Sequence, residues 1–274
     1  MKKVLKYKVV LGSFIIVSAF LLVLPVHAQE PLVPYDNFNS MFINAEKWKG
    51  FDNSTQEIFR YIKFGRLHMY QRSSGSSLVG VNALQFRNPE AVTAMKATIK
   101  VNCMKAGSCL TSDDPGRTVA QVQVAGSFFN SSETNPIDQQ GDVRAGCIVL
   151  RASNSTDPIN SLVVIAFINQ CTDSFCSKYV NLPGTPIFMG NVDIGKSVTL
   201  SVQWDEVNNQ FIFQRDNEPP IYYIYYDVLD ENPPFNSFKQ LCVLGVPLCE
   251  EEPQPVTSVE AYFDNVYVNH SAAQ

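Results

Sequence analysis

Ser197-Val-Thr-Leu-Ser-Val-Gln-Trp204, then Asp205-Glu-Val-Asn-Asn209, then Gln210-Phe-Ile-Phe-Gln-Arg215 is the stretch that decides the fold. Val198, Leu200 and Val202 alternate with Ser and Thr, the period of a half-buried strand. The Asp/Asn-rich segment that follows is turn chemistry, and Phe211 and Phe213 repeat the alternation on the way back. The unit is a hairpin, and the rest of the chain repeats its grammar. Val119 to Ala125 and Ala97 to Val101 alternate in the same way. Gly146 to Leu150 and Leu162 to Ile168 are more continuously apolar, as core strands are. Ile58 to Phe64 and Leu67 to Tyr70 flank Gly65-Arg66, read as a hairpin turn, and Ile221 to Tyr226 and Val259 to Val268 add two more strands. Only Pro89 to Met95 reads as a helical turn, with Pro at its first position.

This predicts ten to twelve short strands, with no alternation of strand and helix and no fixed repeat. The expected fold class is all-β, a single antiparallel β-sandwich of jelly-roll type. Its expected span is residues 35–270, after a flexible lead-in over 29–34. Lys2, Lys3, Lys6 and Lys8 followed by the apolar run from Val9 to Pro25 read as an export signal over 1–28, cut after Ala28. Removal of that leader takes four lysines and no acid, leaving 17 basic against 26 acidic side chains, a net −9. An acidic chain of this kind has the wrong sign for a nucleic-acid binder, and anionic polysaccharides are expected to bind it poorly without a bridging cation. No second long apolar stretch follows, so the expectation is a secreted or periplasmic protein with no membrane span after cleavage.

Six of the seven cysteines fall into close pairs: Cys103 with Cys109, Cys171 with Cys176, and Cys242 with Cys249. Each pair encloses a segment read as a loop, and local disulfides are the economical reading in an oxidising compartment. The spacings and the shortage of histidines disfavour zinc. Cys147, in an apolar strand, is expected to be a buried free thiol.

Three segments resemble the concanavalin A-like lectin/glucanase superfamily, which includes laminin-G-like sandwiches. Tyr35-Asp-Asn-Phe38 is similar to a domain opening, the Val198–Phe213 hairpin to a central hairpin, and Ala261-Tyr-Phe-Asp-Asn-Val-Tyr-Val268 to a closing strand. The resemblance implies a sandwich from about 35 to 268 and leaves activity open, because the superfamily holds lectins, glycoside hydrolases and adhesion modules. Its glucanases carry an E-x-D-x-x-E pattern, which is absent here. Asp205-Glu206, Asp227 and Asp230-Glu231 read as turn residues instead. No G-x-S-x-G elbow or glycine-rich phosphate loop is present, and no catalytic residue is assigned. Such sandwiches often bind calcium, for which Asp36 and Asp264 are the candidates if the first and last strands adjoin. No other cofactor is implied.

The surface candidates are Tyr222, Tyr223, Tyr225 and Tyr226, with Tyr222 and Tyr226 on one face of a strand and Tyr223 and Tyr225 on the other. The function expected first is a non-catalytic binding or surface-interaction module, with a glycan as the first ligand to test and an extracellular protein as the other partner class. A glycan-cleaving enzyme with an unrecognised carboxylate pair and a structural component of an extracellular or periplasmic assembly are the alternatives.

Overall fold

The computed structural model describes residues 30–53, 57–74, 80–108, 118–226, 228–246 and 255–274. The expected leader, Cys109, Asp227 and Cys249 therefore lie outside the described residues. Two antiparallel sheets face each other. One runs, edge to edge, β14 (Ile221–Ile224), β13 (Gln210–Arg215), β12 (Ser197–Asp205), β6 (Ala94–Ala106), β16 (Val256–Asn269), β4 (Arg66–Ser74) and β3 (Ile58–Lys63), with β1 (Leu32–Asp36) also paired to β16. The other runs β10 (Tyr179–Asn181), β9 (Ser161–Cys171), β8 (Asp142–Ala152), β7 (Val119–Asn130), β15 (Lys239–Val246), β5 (Gly80–Phe86) and β2 (Trp48–Asp52), with β11 (Ile187–Asp193) also paired to β9. The all-β sandwich expected from the sequence is the fold found.

The alternating residues of the deciding hairpin point where their chemistry sends them. Val198, Leu200, Val202, Phe211 and Phe213 are buried between the sheets, facing Val122, Val124, Val149 and Val164 from the opposite layer. The turn between β12 and β13 closes on Asp205, which accepts hydrogen bonds from Asn208 N (3.3 Å), Asn208 Nδ2 (2.7 Å) and Gln210 Nε2 (2.8 Å). Asn209 takes the left-handed conformation that asparagine tolerates. Asp205 is thus the turn residue it was read as.

Several expectations need correction. The lead-in is shorter than 29–34, because Leu32, Val33 and Pro34 already pair with β16. The β3–β4 turn is Phe64-Gly65, one residue earlier than read, with φ of 54° and 69° at its two centres, as a two-residue type I′ hairpin requires. The helical turn shrinks to a 3₁₀ turn over Pro89–Ala91, and Ile221 to Tyr226 shrinks to Ile221–Ile224. The segment after Cys242 is not a loop at its start: Lys239–Val246 is the inner strand β15, between β5 and β7. Cys103 likewise sits within β6 rather than at a loop tip. Among the described residues Cys171 and Cys176 bracket a loop, and they form a disulfide. Among the described residues Cys103 and Cys242 have no disulfide partner; the partners expected for them lie outside.

Cys147 is fully buried, with its thiol donating to Ser201 O at 3.3 Å, and burial pushes that thiol well above the ordinary range. A non-reducing peptide map should recover Cys171 linked to Cys176. Cys147 should take up iodoacetamide only after denaturation. A bridge from Cys147 to any other cysteine would contradict this packing.

At the β3/β2 edge one side chain ties the layers together. The Arg60 guanidinium donates to Phe51 O (2.8 Å), Asn82 Oδ1 (2.8 Å), Ala83 O (2.7 Å) and Asp52 Oδ2 (2.8 Å). Gly50 makes room for it, since a Cβ there would stand 2.8 Å from the guanidinium.

Candidate functional site

At one end of the sandwich a cavity of about 250 Å³ opens between the sheets. Its apolar walls are Trp204, from the end of β12, and Phe128, from β7. Phe128 faces inward because of a bulge. The β7–β8 register shifts between Ser127 and Phe129, so the consecutive rings of Phe128 and Phe129 are both buried. Phe129 packs 5.4 Å from Trp204, centroid to centroid, and fixes that ring from behind.

Lys239, the first residue of β15, lies against the cavity and is almost wholly buried. Its ammonium donates to Ser127 O and, at 3.3 Å, to Pro89 O, and sits 4.4 Å from the Phe128 ring centroid. Burial pulls its pKa down to about 7, against a partial upward pull from Glu90. Glu90, Glu206, Asp230 and Glu231 complete the lining with Asn232. Four acidic residues thus line one cavity, spread around it rather than gathered, beside a single amine whose charge is weakened.

The wall carrying Asp230 to Asn232 has no regular structure, and buried polar groups hold it in place. Asp142, fully buried, accepts from Phe235 N (2.8 Å), Asn236 N (3.0 Å) and Asn130 Nδ2 (2.8 Å). Asn232 bridges back to Asn130 and donates to Ser132 O at 2.6 Å. Asp230 is tethered from inside. Trp204 Nε1 donates to Tyr225 Oη at 2.9 Å, and Tyr225 Oη donates to Asp230 Oδ2. Burial and the Asp230 carboxylate together raise the Tyr225 phenol far above its usual range, so it remains a donor.

Tyr225 is therefore a buried positioning residue and offers no surface. Tyr223 is half-buried, its hydroxyl donating to Pro183 O at 3.0 Å. The outward rings of the expected tyrosine set are Tyr222, 59% exposed, and Tyr226, 75% exposed. The first and last strands adjoin, as the calcium expectation required. Asp36 accepts from Phe38 N (2.8 Å) and Trp48 Nε1 (2.7 Å), whereas Asp264 accepts from Asn265 N (2.8 Å) and faces Arg66 at 3.5 Å. Among the described residues no group of three or more His, Cys, Asp or Glu side chains is gathered as a metal site would need.

Sequence reasoning missed Glu90, Glu206, Glu231, Lys239 and Trp204 as a group, and read Asp230-Glu231 as turn chemistry. The one legible signal was a lysine heading an otherwise apolar strand, Lys239-Gln-Leu-Cys-Val-Leu-Gly-Val246. A charge at such a position needs a special environment.

No family model matches the sequence, and no curated protein matches it. Solved structures that resemble it include a β-1,3-glucanase from Mycobacterium marinum, 12% identical over 85% of this chain and 98% of that one, with a TM-score of 0.44. Another is a LamA variant from Z. galactanivorans in complex with laminaritriose and laminaritetraose, 13% identical over 86% and 98%, with a TM-score of 0.47. A third is the Emp47p carbohydrate recognition domain, 13% identical over 85% and 96%, with a TM-score of 0.37. Likenesses this distant assign no activity to this chain.

Proposed function

We propose that the protein is an exported, non-catalytic carbohydrate-binding module that seats a neutral sugar in the end cavity. The observation that carries this reading is the convergence of Trp204 with Glu206, Asp230, Glu231 and Asn232 on one opening. A sugar ring presents an apolar face to an aromatic wall and hydroxyl donors at its edge. Carboxylates and an amide are the acceptors those hydroxyls need. The carboxylates also repel anionic ligands, which narrows the ligand to neutral or amino sugars. The cavity of about 250 Å³ lies just below the span usual for drug-sized ligands, roughly 300–1,000 Å³. It therefore takes a chain end or a single ring rather than the middle of a polymer. The Cys171–Cys176 disulfide supports an oxidising compartment, and among the described residues no helix is long and apolar enough to cross a membrane.

A catalytic reading draws on the same convergence, because glycoside hydrolysis uses two carboxylates flanking the sugar bond. One experiment separates the two. A glycan array on the full-length protein, with product analysis of every bound neutral oligosaccharide, should show retention without cleavage. Cleavage lost in Glu206→Gln or Asp230→Asn would replace the binding reading with the catalytic one. No retention of any neutral or amino glycan would remove both. Tyr222→Ala and Tyr226→Ala on the same array test the outward tyrosines as flanking contacts.

A further inference from the structure

A second surface lies on the far side of the β16 sheet, on the face turned away from the core. There the cross-strand register places Tyr61, His68, Tyr262 and Lys100 in one row, and Phe59, Tyr70 and Glu260 in the next. The rings pack into a platform. His68 stacks on Tyr262 at 4.4 Å and 7°, Phe59 stacks on Tyr70 at 4.8 Å and 14°, and Tyr61 meets His68 edge-on at 5.1 Å. His68 is buried at its centre and bonds to Glu260 Oε1 through Nε2 at 2.8 Å, while its buried Nδ1 has no partner. Desolvation lowers its pKa despite Glu260, so the ring is neutral near pH 7 and Nε2 is the donor. The platform is thus held together by ring packing around His68, with the Glu260 carboxylate beside it and with Phe59 and Tyr61 open to solvent.

Its surroundings are basic, against the sign of the whole chain. Lys96, Lys100 and Lys105 project from β6 on this face, Lys63 flanks His68 from β3, and Arg66 and Arg72 project from β4. Three carboxylates share the area. Asp264 faces Arg66, Glu57 stands 3.8 Å from Arg72, and Glu260 is held by His68. Among the described residues no ion pair involves Lys63, Lys100 or Lys105. The acidic balance of the chain is therefore unevenly spread. The end cavity is lined by acidic residues, while on this face Lys63, Lys100 and Lys105 have no ion-pair partner among the described residues and stand beside exposed rings.

We infer that this face binds an anionic polysaccharide, independently of the end cavity. Lysines answer the carboxylates or sulfates, and the exposed rings of Phe59 and Tyr61 supply apolar contact to the sugars. The expectation drawn from net charge, that anionic polysaccharides bind poorly without a bridging cation, is the one this proposal reverses.

The test is retention of the full-length protein on immobilised polygalacturonate and on heparin at rising salt, with chelator present. Retention is expected on at least one matrix and should weaken steeply with salt. Lys100→Gln with Lys105→Gln should weaken it roughly tenfold. Tyr61→Ser should weaken it with little change in the salt slope, and Trp204→Ala should leave it unchanged, which separates this face from the cavity. Circular dichroism keeps unfolded variants out of the comparison. Failure to bind either matrix, or binding indifferent to both lysine changes, overturns the proposal. Binding to phosphatidylserine vesicles in place of both polysaccharides overturns it in favour of a membrane surface.

Discussion

Replacing Lys239 by methionine should flatten a rise in stability that the native protein shows between about pH 7 and pH 10.5. The sign follows from proton counting. Burial lowers the folded-state pKa of Lys239 from the ordinary 10.5 to about 7. Between those values the unfolded chain holds the proton and the folded chain has released it, so folding becomes more favourable as the pH rises. Above the window both states are neutral and the penalty is gone. Below it both are charged and the penalty is complete. A shift of this size corresponds to a penalty on the order of 5 kcal/mol. Methionine also leaves Ser127 O and Pro89 O without the ammonium donor, at about 1–3 kcal/mol for each buried carbonyl left unsatisfied. The diagnostic is therefore the pH slope and not the offset. Urea midpoints at pH 7, 8.5 and 10 for both proteins give the slope directly. An equal slope in the variant would show that Lys239 is not the titrating group.

Trp204→Ala should weaken neutral-sugar binding by roughly ten- to thirtyfold, about 1–2 kcal/mol. The change removes one of the two aromatic walls of the cavity and the donor that holds Tyr225 Oη, and through it Asp230. Trp204→Phe keeps a ring and loses only the N–H, so it should retain more of the affinity than the alanine variant. Calorimetric titration of the three proteins with one neutral oligosaccharide measures the order. Equal affinities for wild type and Trp204→Ala would place the sugar elsewhere.

The alternating strands announced themselves through one wet face, while β8 and β9 announced themselves through continuous apolar runs. Val198 to Phe213 and Val119 to Ala125 alternate because serine, threonine and glutamine occupy the outer face while valine, leucine and phenylalanine fill the core. β15 lies between two strands and is buried on both faces, as most of β8 is, yet unlike β8 it was not read as a strand. Its run of apolar residues between Lys239 and Gly245 has no period to read, and the nearby cysteines pointed toward a loop. β2, β10 and β11 are short or irregular, with β10 only Tyr179–Asn181 and β11 shifted in register between Phe188 and Asn191.

The cavity was illegible for a different reason. Glu90, Glu206 and Asp230 come from three segments far apart in sequence, each of which reads locally as a turn. Only the topology brings those segments to one end of the sandwich. The tyrosine alternation was half legible. The strand period separates Tyr222 from Tyr223 correctly, but nothing local reveals that Tyr225 donates to Asp230 and is drawn inside. The platform around His68 was hidden in the same way, because its rings are neighbours only across β3, β4 and β16.

The chain has two tryptophans, Trp48 and Trp204, and only Trp204 lines the cavity. In a full-length Trp48→Phe variant the tryptophan emission comes from the cavity alone. Titrating that variant with the neutral oligosaccharides of the glycan array tests the binding claim at the site itself. A saturable change in emission with at least one of them, abolished by Asp230→Ala, is the predicted result. Binding of a neutral glycan that leaves Trp204 emission unchanged, or no binding of any, would contradict the account.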